Sequence, residues 1–328
     1  MRQRRIKISP ADNEAAYHCI SRTVNGEWLF DDAAKEILRR QLWQVADYCG
    51  IHIVTYTILS NHFHVLVDVP PWQPLPDAEL LRRYHVLYPI PTKHQAARLE
   101  VIVAELSLNG PQAMLWRQRQ LALMGDVSQF MKLVKQRFSI WFNKSHQRFG
   151  TLWAERFKSV LVEVKDHALQ TMAAYIDLNS VRAGIVRDPK EYRFCGYAEA
   201  VAGSASARAG IQRVVGGCNW SDAQAHYREL LFGTGAGIAE AAASIPLAEF
   251  QRVVAAGGRL PLAAVLRCRL RYFTDGAVLG SKAFVQTQLA TYRPTTGCRK
   301  QPSPLPLPAW TDWGDLAIMR GLREHAFG

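Results

Sequence analysis

Apolar and polar positions alternate from Ala16 to Thr23, and at Asp31 the pattern changes to the three-four rhythm of a helix, Asp32–Tyr48, ended by Gly50. Alternation returns over His52–Leu59, turns at Ser60-Asn61 and resumes from His62 until Pro70-Pro71 stop the strand. The stretch Asp77–Gly125 reads as helical and semi-independent, an insertion over about residues 71–125. A helix over Ser128–Asn143 follows, since Phe130, Leu133, Val134, Arg137, Phe138 and Trp141 share one face, and Phe157–Val164 reads as a fourth strand. Without the insertion the order is strand, helix, strand, strand, helix, strand. That order predicts an α+β fold of the split βαβ, or ferredoxin-like, plan: an antiparallel sheet with helices on one face.

A further helix is predicted from Asp166, an N-cap whose carboxylate suits the positive helix end, to about Ala183 before Gly184. Val201–Gly217 is rich in Ala, Gly and Ser and reads as a linker. Beyond it, Ser221–Phe232, Leu247–Ala255, Pro261–Phe273 and Ser281–Tyr292 predict a small all-α domain, and Gln301–Pro308 reads as extended. There, Asp275-Gly276 signals a turn and Ser281 caps a helix presenting Lys282 and Gln286. Those helices form either a helix-turn-helix for DNA or accessory elements that buttress the core. The expected domains are therefore 1–200, a linker 201–218 and a helical domain 219–328.

Of the 328 residues, 48% are hydrophobic, which is ample for a packed core, and a formal net charge of +12 favours polyanionic partners such as nucleic acid. No run approaches the ~18 apolar residues of a membrane span. The basic start Met1-Arg2-Gln3-Arg4-Arg5-Ile6-Lys7 is followed by no apolar segment of a secretory signal. A cytoplasmic protein, nucleoid-associated when bound to DNA, is expected. The cysteines are scattered, without metal or disulfide spacing.

Within Ser60-Asn61-His62-Phe63-His64-Val65-Leu66-Val67-Asp68, two imidazoles stand one residue apart in a strand. His62 and His64 therefore share a face, with Cα atoms ~6.6 Å apart, either as half of a metal site or as two polar residues on a solvated face. Asp68 shares that face but lies roughly 13 Å beyond His64, too far to join them. On the later helix, Tyr175, Asn179 and Arg182 fall on one face, either a surface stripe or a second half-site in which the Asn179 oxygen supplies a third ligand. Basic and aromatic residues interleave around Arg148, Phe149, Trp153, Arg156, Phe157 and Lys158, as suits a strand held by its phosphates with bases stacked on rings. Most of the aromatics read as core, Arg148, Arg156 and Lys158 as phosphate contacts, and Arg4 and Arg5 as part of a basic arm on DNA.

Three segments taken together, Tyr56–Val67, Gly150–Ser159 and Tyr175–Gly184, resemble the REP-associated tyrosine transposases, which are single-tyrosine HUH nucleases. Tyr17-His18-Cys19-Ile20-Ser21-Arg22 resembles the first strand of that family, and Arg271–Ser281 a C-terminal block of its longer members. The resemblance spans roughly residues 15–200. It implies that His62 and His64 are metal ligands, Tyr175 the nucleophile and Asn179 the group completing the metal shell, with Arg182 beside the DNA. Where family members have Asn-Pro, this chain has Asn179-Ser180. The implied reaction is metal-dependent cleavage and rejoining of single-stranded, hairpin-forming repeat DNA through a 5′-phosphotyrosine. Mg²⁺ is the expected cation and Mn²⁺ a good substitute. A monomer is expected, with a dimer as the alternative, and no membrane partner. The competing function is a hairpin-DNA-binding regulator that no longer cuts.

Overall fold

A computed structural model describes residues 5–9, 13–216, 219–233, 252, 259–267, 270, 272–275, 277–296, 303–309 and 311–319. Arg4 and most of the helix expected over 247–255 lie outside them. The first strand, β1 (Ala15–Arg22), leads to α1 (Asp32–Cys49), where the Asp31 carboxylate accepts from the Ala34 N–H and Gly50, at φ 63°, ends the helix. Strands β2 (His52–Ile58) and β3 (His62–Val69) form the expected hairpin. The insertion holds α2 (Asp77–Leu87), α3 (Lys93–Leu108) and α4 (Pro111–Leu121), tied to α1 by a Tyr48–Gln120 hydrogen bond of 2.8 Å and an Arg82–Asp47 ion pair. Next come α5 (Val127–Ser145) and β4 (Lys158–Val162).

In the sheet, β1 lies between β3 and β4, and β2 lies outside β3, with every pairing among the four antiparallel. The molecule is thus α+β, but two expectations about the sheet fail. Helices cover both faces, not one, and β3 is buried on both sides. Phe63 on one face joins Phe30, Phe138, Phe142 and Trp153 beneath α1 and α5, with ring centres 5.3–6.4 Å apart. The other face is covered by α6 (Asp166–Asp177), whose N-cap position is Lys165 where Asp166 was expected. A pause at Leu178 separates α6 from the single turn α7 (Asn179–Arg182), so the helix predicted as continuous is divided.

After α8 (Gly196–Val201), most of the segment expected as a linker is instead a helix, α9 (Ala205–Val215), packed on β2. Its small residues serve close approach: a Cβ on Gly210 would stand 2.3 Å from the Val54 carbonyl oxygen. Helix α10 (Trp220–Phe232) follows, then α11 (Leu262–Leu266) and α12 (Tyr272–Asp275). The all-α domain expected after residue 219 is overturned by β5 (Val278–Ser281), which extends the same sheet parallel to β4. Beyond α13 (Lys282–Thr296), β6 (Leu305–Pro306) and β7 (Leu316–Met319) complete a sheet ordered β2-β3-β1-β4-β5-β7-β6. Ser281 does cap α13 by accepting from the Phe284 N–H, but a strand precedes that helix where a helix-turn-helix needs a turn.

Polar clamps fix α6 on the sheet. Thr57 Oγ1 donates to the Ile176 carbonyl at 2.8 Å and Thr55 Oγ1 to Asp177 Oδ1 at 2.7 Å, while Tyr227 Oη on α10 donates to Asp177 Oδ2 at 2.5 Å. Burial raises the Asp177 carboxyl to about 6, although the bonds from Tyr227 and Thr55 favour its ionised form. Its native pKa therefore exceeds the unfolded value near 4, so this group's stabilisation is complete below about pH 4 and is lost as pH rises through about 6, a change of about 3 kcal/mol. Urea unfolding of Asp177→Asn between pH 4 and 7 should show a flatter pH dependence than the parent protein. An unchanged slope would exclude Asp177 as its source.

Candidate active site

The clamped helix α6 holds Tyr175 over the sheet face that carries the histidines. On β1, His18 lies opposite Leu66, and Ile20 lies opposite His64, so His18 and His64 are diagonal neighbours on one face. Their rings stack at 5.0 Å, His18 Nε2 meets His64 Nδ1 at 2.8 Å, and the Tyr175 ring stands 6.4 Å from His18. The His62 and His64 ring centres are 5.2 Å apart. One cation with bonds of about 2.1 Å to each ring can bridge such a separation. The sequence reading placed two imidazoles here; the structure places three.

Burial pushes the His18 imidazole down to about 3 against a helping hydrogen bond to the Phe273 carbonyl, and it pushes His64 well below the usual histidine range, with His18 adding to the effect. Both rings are therefore neutral at physiological pH, the form in which imidazole binds a metal. His62 is half-buried at the rim, with Nδ1 2.6 Å from Asn61 Oδ1. Asn179 on α7 is half-buried too, and its side-chain nitrogen has no hydrogen-bond partner. Among the described residues, no cluster of three or more His, Cys, Asp and Glu side chains is arranged to hold a metal.

Arg182, expected beside DNA, is turned inward. Its guanidinium lies 3.9 Å from the Tyr175 ring centre and donates to the carbonyls of Tyr175 at 2.7 Å and Leu266 at 2.8 Å. The C-terminal segment then closes the site: Tyr175 Oη donates to the Leu270 carbonyl at 3.4 Å, the Phe273 ring packs 4.9 Å from Tyr175, and the Phe273 carbonyl accepts from His18 Nδ1 at 3.0 Å. Tyr175 is only 3% exposed, beneath Leu270 and Phe273.

The other expected DNA contacts are dispersed. Arg5 folds back on Phe157, with its guanidinium 3.6 Å from the ring centre and a 2.7 Å bond to the Phe157 carbonyl. Arg148 pairs with Glu27 at 3.3 Å. Arg156 and Lys158 line a shallow cleft with Arg22, Ile20 and Thr274, on the strand adjoining the histidines. A cleft of about 730 Å³ beside β2, lined by Trp43, His52, Asp68 and Arg213 among others, includes neither Tyr175 nor the histidine pair.

His18, Leu270 and Phe273 escaped the sequence reading. A lone histidine in an alternating strand has no partner along the chain, and its partner here is reached only across the β1–β3 pairing. No helix among the described residues is long and apolar enough to cross a membrane.

No family model matches the chain, and no curated protein matches it. Among solved structures, it is similar to a REP-associated tyrosine transposase bound to a REP hairpin, at 14% identity and a TM-score of 0.40, over 62% of this chain and 86% of that one.

Proposed function

We propose that this chain is a metal-dependent enzyme that cleaves and rejoins single-stranded, hairpin-forming DNA, with Tyr175 as nucleophile on a split βαβ core. One observation carries the reading: a phenol, an arginine and three histidines gather on one face of the sheet, with Tyr175, His18, His64 and His62 in unbroken succession. The sequence resemblance supplies the substrate class, and the net charge of +12 suits it.

The residues fit a divalent cation, Mg²⁺ or Mn²⁺. His62 and His64 would hold it through ring nitrogens and Asn179 through its amide oxygen. Amide oxygen and nitrogen exchange places by a simple flip, which would bring an acceptor into the buried position now without a partner. A bound cation supplies Lewis-acid polarisation of the scissile phosphate.

In the step itself, the Tyr175 oxygen bonds to phosphorus, the P–O3′ bond breaks and a 3′ hydroxyl leaves with a proton. A 5′-phosphotyrosine remains, and attack by a DNA 3′ hydroxyl reverses the reaction without ATP. The phenolic proton must leave as the bond to phosphorus forms. The Arg182 guanidinium holds the Tyr175 ring from one face. Arg182→Ala should therefore loosen the ring and slow cleavage about tenfold at pH 7 while DNA affinity holds, because the side chain packs on Tyr175 and faces inward.

The deep burial of Tyr175 favours one rival, a regulator that binds hairpin DNA without cutting. Labelled hairpin DNA incubated with the protein and Mn²⁺ separates the two: a denaturation-resistant adduct supports the enzyme, whereas binding unaffected by chelation and never followed by cleavage supports the regulator.

A further inference from the structure

We propose that His18 is a positioning residue that sets which nitrogen of His64 faces the cation, so that the C-terminal segment reaches the metal site through the Phe273 carbonyl. The inference rests on the metal-site reading of His62 and His64 and extends it to a third histidine and to the cover of the site.

Hydrogen-bond direction carries the argument. The Phe273 carbonyl only accepts, so the 3.0 Å contact requires a proton on His18 Nδ1. A neutral His18 then has a bare Nε2, and its 2.8 Å contact with His64 requires the proton to sit on His64 Nδ1. His64 Nε2 is left with its lone pair free for a cation. The chain cannot run the other way, because a carbonyl has no proton to give. Both rings are buried, His18 fully and His64 at 3% exposure, so an extra charged proton shared between them would go unsolvated.

His62 repeats the arrangement with a different partner. Asn61 Nδ2 donates to the Gly26 carbonyl at 3.1 Å, which turns Asn61 Oδ1 toward His62 Nδ1 and places a proton there. Both imidazoles thus give an Nδ1 proton to a fixed acceptor. A metal-bound histidine needs such an outer partner, and losing one typically weakens binding 10- to 100-fold. The His64 acceptor is itself held by a residue 255 positions away from it, at the edge of the segment that covers Tyr175.

The test is long-range ¹H–¹⁵N correlation spectroscopy of the imidazoles in the metal-free full-length protein, joined to Mn²⁺ titration followed by electron paramagnetic resonance. In the parent protein His64 should carry its proton on Nδ1. His18→Leu should allow His64 to take the Nε2–H form and weaken Mn²⁺ binding by about 10- to 100-fold, and His18→Gln, which offers an acceptor oxygen at similar reach, should restore most of both. A parent spectrum with His64 protonated on Nε2 would overturn the inference, and so would a folded His18→Leu with His64 and Mn²⁺ affinity unchanged. If His18→Leu fails to fold, the parent spectrum and His18→Gln decide the matter. A His64 tautomer that follows His18 in a protein with no Mn²⁺ affinity would sustain the positioning role and refute the metal reading alone.

Discussion

Tyr175→Phe is expected to abolish the covalent DNA adduct and to lower strand cleavage by about four orders of magnitude or more, leaving only reaction that does not use this side chain. The change removes one oxygen. Every ring contact is retained, including Phe273 at 4.9 Å, His18 at 6.4 Å and the Arg182 guanidinium at 3.9 Å. The single hydrogen bond lost, to the Leu270 carbonyl, is long at 3.4 Å and contributes about 1 kcal/mol at most. Stability should therefore stay within that margin while the chemistry disappears. Denaturing electrophoresis of labelled hairpin DNA with Mn²⁺ reads both adduct and cleaved strand, and a thermal melt confirms the fold.

Removing His62 should be nearly as severe. It is half-buried at the rim, so His62→Ala leaves the His18–His64 pair and the core under β3 in place. One imidazole would remain where two are needed. Lewis-acid assistance amounts to several kcal/mol, so cleavage should fall about 1,000-fold and Mn²⁺ titration should lose its heat. Because the cause is lost metal affinity, high Mn²⁺ should recover part of the rate in His62→Ala and none in Tyr175→Phe. Equal recovery in both would show that the histidine and the tyrosine act at the same step for some other reason.

Local chemistry made much of the four-strand core legible. Asp31 and Gly50 bracket α1 as their capping chemistry requires, and the alternation about Phe63 puts the histidines and the aromatic core on opposite faces. What the chain alone obscured depends on distant partners. Small residues over 205–215 look like a flexible linker until β2 is seen 2.3 Å beneath the place where a Gly210 Cβ would stand. The strands β5, β6 and β7 are two to four residues long, too short to set a period, and β5 exists only by pairing with β4 and β7. His18 belongs to the same class, since its meaning comes from strand register and from Phe273. Arg182 was legible as a neighbour of Tyr175 but not in its direction, which the Leu266 carbonyl fixes from the far side of the sequence.

The measurement that bears most directly on the account is peptide mapping of the protein after reaction with hairpin DNA and Mn²⁺, with nuclease trimming before mass spectrometry. The nucleotide remnant should sit on Tyr175, within the tryptic peptide Asp166–Arg182. A remnant on any other residue, or cleaved DNA without a protein-bound remnant, would contradict it.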